Sequence, residues 1–221
     1  MLVLENIKKL GFYPETVLDV GANKGYWSRH CHSVFPKAEF FLIEPQTEME
    51  DSLKEFCQQT DSSYFIYAAG ENNHTGKLRI WEDMQGSSFL HDKIPPKKPD
   101  GREQRIVQVI TIDSLIEENK IKKPDLVKMD IQGFELKALK GFSQAKDSHI
   151  IILEVSFFEF LEGQPLFIEV MNYMDSIGFV VYDIFNFIKR PYDKALGQCD
   201  VCFVRKDSFL KSVNAWNENQ I

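Results

Sequence analysis

A short, mainly apolar run that stops at a glycine constrains this chain more than any other feature. In Thr16-Val17-Leu18-Asp19-Val20-Gly21-Ala22-Asn23-Lys24-Gly25, the residues Val17, Leu18 and Val20 suit a strand buried on both faces of a parallel sheet. A helix-like segment opens directly afterwards with Tyr26, Trp27, Ser28 and Arg29. Strand, tight glycine turn and helix together turn backbone N–H groups and a helix N-terminus towards a ligand. The Gly-x-x-x-Gly spacing is not the G-x-G-x-x-G of nicotinamide-binding folds, and no Lys-Ser/Thr of a P-loop follows. Steric demands alone also place glycines at such turns. The turn therefore marks where to look for a ligand without naming it.

Read outward from this turn, the chain alternates strands and helices. Apolar positions at 3, 4, 7 and 10 predict a helix within residues 1–13, ended by Gly11 and Pro14. A helix is predicted over Tyr26 to Val34, a buried strand over Phe40 to Ile43, and a helix capped by Thr47 that carries Met49, Leu53 and Phe56. Tyr64 to Ala69 reads as one further strand. The alternation then breaks: Leu78 to Trp81 and Arg105 to Ile112 read as two strands around a Pro-rich loop, an inserted hairpin or flap over 71–112. Asp113 or Ser114 is the expected cap of the next short helix. Then come a strand at Asp125 to Ile131, a helix at Phe134 to Leu139 stopped by Gly141, a strand at His149 to Val155, and a helix at Gln164 to Ile177 stopped by Gly178. Phe179 to Phe185 and Val201 to Val204 are joined by a loop, which predicts antiparallel pairing. The expected fold is α/β: one doubly wound, mostly parallel seven-stranded Rossmann-like sheet, with an antiparallel last strand and a polar tail at 207–221.

Bulk properties narrow the function. At 221 residues one sizeable core over 1–221 suffices. A net charge of −7 supplies no positive field for phosphates and disfavours a general nucleic-acid binder. No apolar run approaches the ~20 residues of a membrane span, and the acid at Glu5 comes too early for a secretory signal. Cys31, Cys57, Cys199 and Cys202 are too few and too scattered for a disulfide scaffold, so a cytoplasmic location is expected. Cys199-Asp-Val-Cys202 sits in a strand, where positions three apart face opposite ways, and His30-Cys31-His32 diverges on a helix; neither reads as a metal site.

In a doubly wound sheet the ligand sits at the carboxyl ends of the strands. Asp19, Glu44, Asp130 and Glu154 fall at or near four such ends. Glu44 lies about 20 residues past the glycine turn, where an ionised carboxylate, an acceptor only, suits both hydroxyls of an adenosine ribose.

The stretch Lys128-Met129-Asp130-Ile131-Gln132-Gly133-Phe134-Glu135-Leu136 running on to Leu139 and Gly141 resembles the signature of the FkbM-type methyltransferases. The resemblance extends, in order, over roughly residues 10–206: Asp19 to Asn23 with Gly25, Ile43-Glu44-Pro45, Gly86-Ser87-Ser88, Thr111 to Leu115, Ile152 to Ser156, Gly178-Phe179, and Gln198 with Asp200 and Phe203. Many members carry Glu where this chain has Gln132. The resemblance implies S-adenosylmethionine as methyl donor, a class I methyltransferase fold, and a hydroxyl acceptor on a sugar, glycan precursor or secondary metabolite. It implies that Gly21, Ala22, Asn23 and Gly25 line the methionine end with Asp19 near the ammonium. Glu44, beside Pro45, takes the ribose; Ala68 and Ala69 flank the adenine; Ser87 and Ser88 reach in from the flap; Asp130 borders the cofactor. Removing a hydroxyl proton needs a base: Asp130 is the first candidate and Glu154 the second. Two such carboxylates also suit a divalent ion, which the resemblance does not require. Lys128 and Glu135 are expected to pair with each other or with their surroundings. A nicotinamide-dependent oxidoreductase using Glu44, and a non-catalytic nucleoside-cofactor-binding module, are the alternatives on the same fold. Oligomeric state is open between monomer and homo-oligomer.

Overall fold

A computed structural model describes residues 2–82, 84–94, 102–119 and 121–217. Helix α1 (Leu2–Lys9) precedes strand β1 (Thr16–Val20), and α2 (Tyr26–Val34) leaves the glycine turn. The chain continues through β2 (Glu39–Ile43), α3 (Glu50–Gln59), β3 (Ser62–Phe65), β4 (Ala68–Ala69), β5 (His74–Ile80) and β6 (Glu103–Ile110). It closes through α4 (Ile112–Asn119), β7 (Leu126–Met129), α5 (Glu135–Lys140), β8 (Ile150–Ser156), α6 (Phe167–Ser176), β9 (Phe179–Lys189) and β10 (Leu196–Arg205).

Seven strands form one sheet in the order β3-β2-β1-β7-β8-β10-β9. The first five are parallel, and β10 runs antiparallel to both its neighbours, as the loop connection predicts. From β1 the chain winds outward to β3, then returns to build β7 on the other side of β1. That reversal opens a crevice between β1 and β7, the switch point where such sheets bind ligands.

Alternation along the buried strands divides the core. Leu18, Val20, Val127, Met129, Ile151 and Leu153 point to one face, where Leu115, Leu139 and Met174 of α4, α5 and α6 cover them. Val17, Phe40, Leu42, Leu126, Ile150 and Ile152 point to the other, under Leu4, Cys31 and Phe56 of α1, α2 and α3. Phe40 and Phe56 meet edge to face at 5.7 Å.

Several sequence expectations are corrected. Tyr64 to Ala69 is not one strand. β3 pairs with β2, whereas β4 leaves the main sheet and pairs in parallel with β6. The inserted hairpin therefore supplies two strands of a second, three-stranded sheet in the order β4-β6-β5, with its own small core of Ala68, Leu78, Ile80, Val107 and Val109. Thr47 does not cap α3: it begins a 3-10 turn, and Glu50 and Asp51 in the helix's first turn complement the dipole instead. At α4 the cap is Thr111, whose Oγ1 accepts from Ser114 N at 3.1 Å; Asp113 accepts instead from Ser143 N. Helix α6 starts at Phe167 rather than at Gln164, because Gln164 is buried and donates to Ser156 Oγ at 2.8 Å. Residues 95–101 of the expected flap and 218–221 of the expected tail lie outside the described residues. Among those described, no helix is long and apolar enough to cross a membrane.

Candidate active site

The crevice opens into a cleft of about 340 Å³, within the range of cofactor pockets. Gly21, Ala22 and Asn23 form one wall, Glu44 and Pro45 the next, and Ala68 and Ala69 a third, with Asp130 across from them. Gly21 has φ +80°, and a Cβ on it would stand 2.1 Å from the Asp130 carbonyl oxygen. Only glycine lets the β1 turn approach the end of β7 so closely. Gly25 does not line the cleft; it stands at the start of α2 with φ +72° and serves the turn's conformation.

Glu44 is 3 % exposed and fixed in place: Asn23 N donates to Oε2 at 2.8 Å, and Gln46 N and Nε2 donate to Oε1 at 2.9 and 3.1 Å. Burial pushes its carboxyl up and these donors oppose the rise. The same cluster anchors the hairpin loop, since Asn23 Nδ2 and Gln46 Nε2 both donate to Met84 O, at 2.9 and 3.0 Å. Ser87 Oγ donates to Gln46 Oε1 at 3.1 Å, and Ser88 Oγ donates to Gln132 O at 2.8 Å on the opposite rim. The two serines thus tie the loop to both sides of the cleft.

Asp19 lies beneath the turn and does not line the cleft. It is fully buried inside β1, takes a 2.6 Å hydrogen bond from Ser28 Oγ on Oδ2, and leaves Oδ1 without a partner. Burial pushes its carboxyl up, opposed by Lys128 and Ser28. Lys128 does not pair with Glu135; its Nζ donates to Asp130 Oδ2 at 3.2 Å. Burial disfavours the ammonium, yet Asp130, Asp19 and Asp200 together hold it above the ordinary lysine range. Glu135 instead accepts from Ile131 N and Gly133 N, at 2.9 and 3.2 Å, and burial pushes it up to about 7.

Glu154 also lies inside its strand and off the cleft wall. Gln132 Nε2 joins it to Asp130, donating to Asp130 Oδ1 at 2.8 Å and to Glu154 Oε2 at 3.1 Å. Burial, with Asp130, Glu135 and Asp200 nearby, pushes the Glu154 carboxyl well above the usual range. A carboxyl pushed upward in this way is a poor base at neutral pH, which counts against Glu154 in that role. The folded protein keeps this proton where the unfolded chain has released it. Stability contributed here is therefore lost as pH rises from the ordinary glutamate value of 4.5 through neutrality. Glu154→Gln keeps the shape and removes the titration. Its melting temperature is expected to match wild type near pH 5 and exceed it at pH 8.5 by a few degrees, about 2–4 °C per kcal/mol recovered. Parallel melting curves across pH check this.

Between Asp130 and Glu154, the two carboxylates that suit a divalent ion, sits the Gln132 amide, with the Lys128 ammonium beside Asp130. Among the described residues no group of three or more His, Cys, Asp or Glu is placed to hold a metal ion. Cys199 and Cys202 belong to opposite faces of the sheet. The cleft also takes in residues that the sequence reading left out: Lys24, Trp27, Gln46, Tyr67, Phe89 and Phe134. Phe89 and Phe134, with centroids 5.0 Å apart, close an apolar wall where the hairpin loop meets the turn after β7. No periodicity signals such residues, because they converge from loops far apart in the chain.

The strand order and the cleft at the β1–β7 switch define a Rossmann-like fold of the methyltransferase type. Solved structures share it. Magnesium protoporphyrin IX methyltransferase (ChlM) from Synechocystis PCC 6803, with bound S-adenosylmethionine, superposes with a TM-score of 0.53 at 10% identity, covering 92% of this chain and 76% of that one. A chain of the fibrillarin/Nop5p complex gives 0.52 at 14% identity, covering 92% and 80%. The chain belongs to the FkbM methyltransferase domain family, whose model matches residues 19–181. It is 26% identical over 142 residues to hexuronic acid methyltransferase AglP of Haloferax volcanii, a match covering 64% of this chain and 56% of that relative. The chain thus spans little more than half of the curated relative's length.

Proposed function

We propose that this protein transfers a methyl group from S-adenosylmethionine to a hydroxyl of a sugar, glycan precursor or secondary metabolite. The observation that carries the cofactor assignment is Glu44, an acceptor-only carboxylate held by three N–H donors on the wall of a cleft that Ala68 and Ala69 line with small side chains. Asp130, which lines the cleft opposite the glycine turn, is a further acidic group suited to the ammonium of the amino-acid part. Similarity to a hexuronic acid methyltransferase supports a glycan-type acceptor. The net charge of −7 supports a small or glycan acceptor over nucleic acid, and four free thiols, three of them buried, support a reducing cytoplasm.

In this reading the bound cofactor supplies an electrophilic methyl group. The chain's own residues orient and exclude water: Gly21 to Asn23 and Glu44 fix the donor, and the loop tied by Ser87 and Ser88 covers it. Asp130 takes the acceptor's proton on a carboxylate whose two oxygens are held by Lys128 and Gln132. Glu44→Gln keeps the packing and replaces one charged acceptor oxygen by an amide N–H donor. It is expected to weaken S-adenosylhomocysteine binding about tenfold or more, the loss of a hydrogen bond to a charged group. The function is tested by incubating the protein with labelled S-adenosylmethionine and panels of glycosides and phenols. Label in an O-methyl product, absent with Asp130→Asn, supports the reading; label only in amine or carbon products contradicts it.

A further inference from the structure

Strands β9 and β10 outrun the rest of the sheet. β8 ends at Ser156, opposite Gln198, yet β9 and β10 stay paired as far as Lys189 opposite Leu196. Their tip therefore projects from the edge of the sheet where β1, β7 and β8 present their carboxyl ends, the edge that also carries the cleft. The tip is a fixed structure. Arg190 N donates to Ala195 O at 2.9 Å and closes the turn. The Arg190 guanidinium donates twice to the Asp193 carboxylate and lies over the Phe158 ring, 3.8 Å from its centroid. Large apolar side chains stand exposed on this rigid tip: Tyr192 by 89%, Phe187 by 61% and Ile188 by 49%. Ile94, 85% exposed, extends the patch across the loop after β8. Its neighbour Lys93 donates from N to Phe160 O at 2.9 Å, and the Phe160 ring lies 3.4 Å from where a Cβ on Gly197 would stand.

An exposed apolar cluster on an ordered turn marks an interaction surface. The charge beside it selects the partner. Asp193 neutralises Arg190, so the exposed Lys189 and Lys194 give the tip its sign, positive in a chain of net charge −7. Screening limits the reach of acids elsewhere on the chain to about 8–10 Å at physiological salt, so the tip meets a surface by its own charge. Rings and aliphatic side chains flanked by lysines suit a lipid–water interface. The apolar groups enter the boundary between headgroups and acyl chains, and the ammonium groups stay with the phosphates. A second copy docking tip to tip would set these lysines against each other, which costs binding.

We propose that the β9–β10 tip docks the protein, peripherally and reversibly, on the surface of an anionic phospholipid bilayer. Phe187, Ile188 and Tyr192 are the inserted side chains, and Lys189 and Lys194 contact the headgroups. Because tip and cleft share one edge of the sheet, the docked protein turns its cleft edge towards the lipid. The inference stands on the tip and does not depend on the chemistry of the cleft.

The test is co-sedimentation of the purified full chain with vesicles of phosphatidylcholine alone and of phosphatidylcholine mixed with phosphatidylglycerol. Binding to the mixed vesicles is expected to be about tenfold or more tighter, and to weaken as salt is raised. Phe187→Ser with Tyr192→Ser, and separately Lys189→Glu with Lys194→Glu, are each expected to lower it about tenfold or more. All four side chains are exposed, and melting temperatures confirm that both variants fold. Tyr13→Ser is the control. Tyr13 is 67% exposed but precedes β1, at the opposite edge of the sheet, and its replacement is expected to leave binding unchanged. No affinity for the mixed vesicles overturns the proposal, as does undiminished binding by the tip variants or an equal loss in Tyr13→Ser. Sedimentation velocity runs alongside. Tip variants that lose self-association while keeping their hold on vesicles overturn the proposal too, and make the tip an interface between copies.

Discussion

Replacing Lys128 by methionine is expected to destabilise the protein by about 3–5 kcal/mol, the usual consequence of stranding a buried charge by removing its partner. For a chain of this size that is a fall of roughly 10 °C in Tm. The reason lies in what the ammonium neutralises. Asp19 is fully buried in β1, directly across the register from Lys128 in β7, and Asp130 accepts from the ammonium at 3.2 Å. Without Lys128 the two acids face each other, one with an oxygen that has no hydrogen-bond partner. Adding Asp19→Asn to Lys128→Met removes the stranded charge and is expected to restore part of the loss, so the two changes do not add. Thermal melts of both single variants and the double variant check this. Equal destabilisation by Lys128→Met with and without Asp19→Asn would show that the lysine acts through packing alone.

Gly21→Ala is expected to abolish cofactor binding, a loss of more than about 100-fold, with a lowered Tm from overpacking of about 1–3 kcal/mol. The added Cβ would stand 2.1 Å from the Asp130 carbonyl oxygen and 2.9 Å from Ile131 Cγ2 at a φ of +80°. The neighbour is backbone, so either β1 and β7 part or the turn that carries Ala22 and Asn23 moves. Gly163 is the control: its φ is +73°, but nothing lies within 4 Å of an added Cβ. Gly163→Ala pays the backbone strain alone, about 1–2 kcal/mol, and leaves cofactor affinity unchanged. Calorimetry with S-adenosylhomocysteine on both variants separates steric closure of the turn from glycine's backbone freedom.

How far the site could be read in advance depends on whether its signals are local. Gly21 and the acids Glu44 and Asp130 are legible because each interrupts an apolar run where a buried strand must end, and chain order then places them at one switch point. The break between Phe65 and Ala68 is not legible. Both halves are equally apolar, and the choice of β2 or β6 as partner is made by strands distant in the chain. The same holds for side-chain roles. Asp19 and Glu154 stand near strand ends in the sequence, but their position in the register buries them off the cleft wall, and the network decides their charge. Gln132 carries no local signal for a bridge to Glu154, 22 residues away. Caps show the pattern in miniature: Thr111, not Asp113, caps α4 because Asp113 turns to Ser143.

The central claim is that the cleft between β1 and β7 holds the nucleoside and amino-acid parts of S-adenosylmethionine. Calorimetric titration of the purified protein with S-adenosylhomocysteine, and in parallel with NADH, tests it most directly. The account predicts micromolar binding of S-adenosylhomocysteine, weakened in Glu44→Gln and lost in Gly21→Ala, with no binding of NADH. Clean NADH binding without S-adenosylhomocysteine binding would contradict it and reassign Glu44 to a nicotinamide cofactor's ribose.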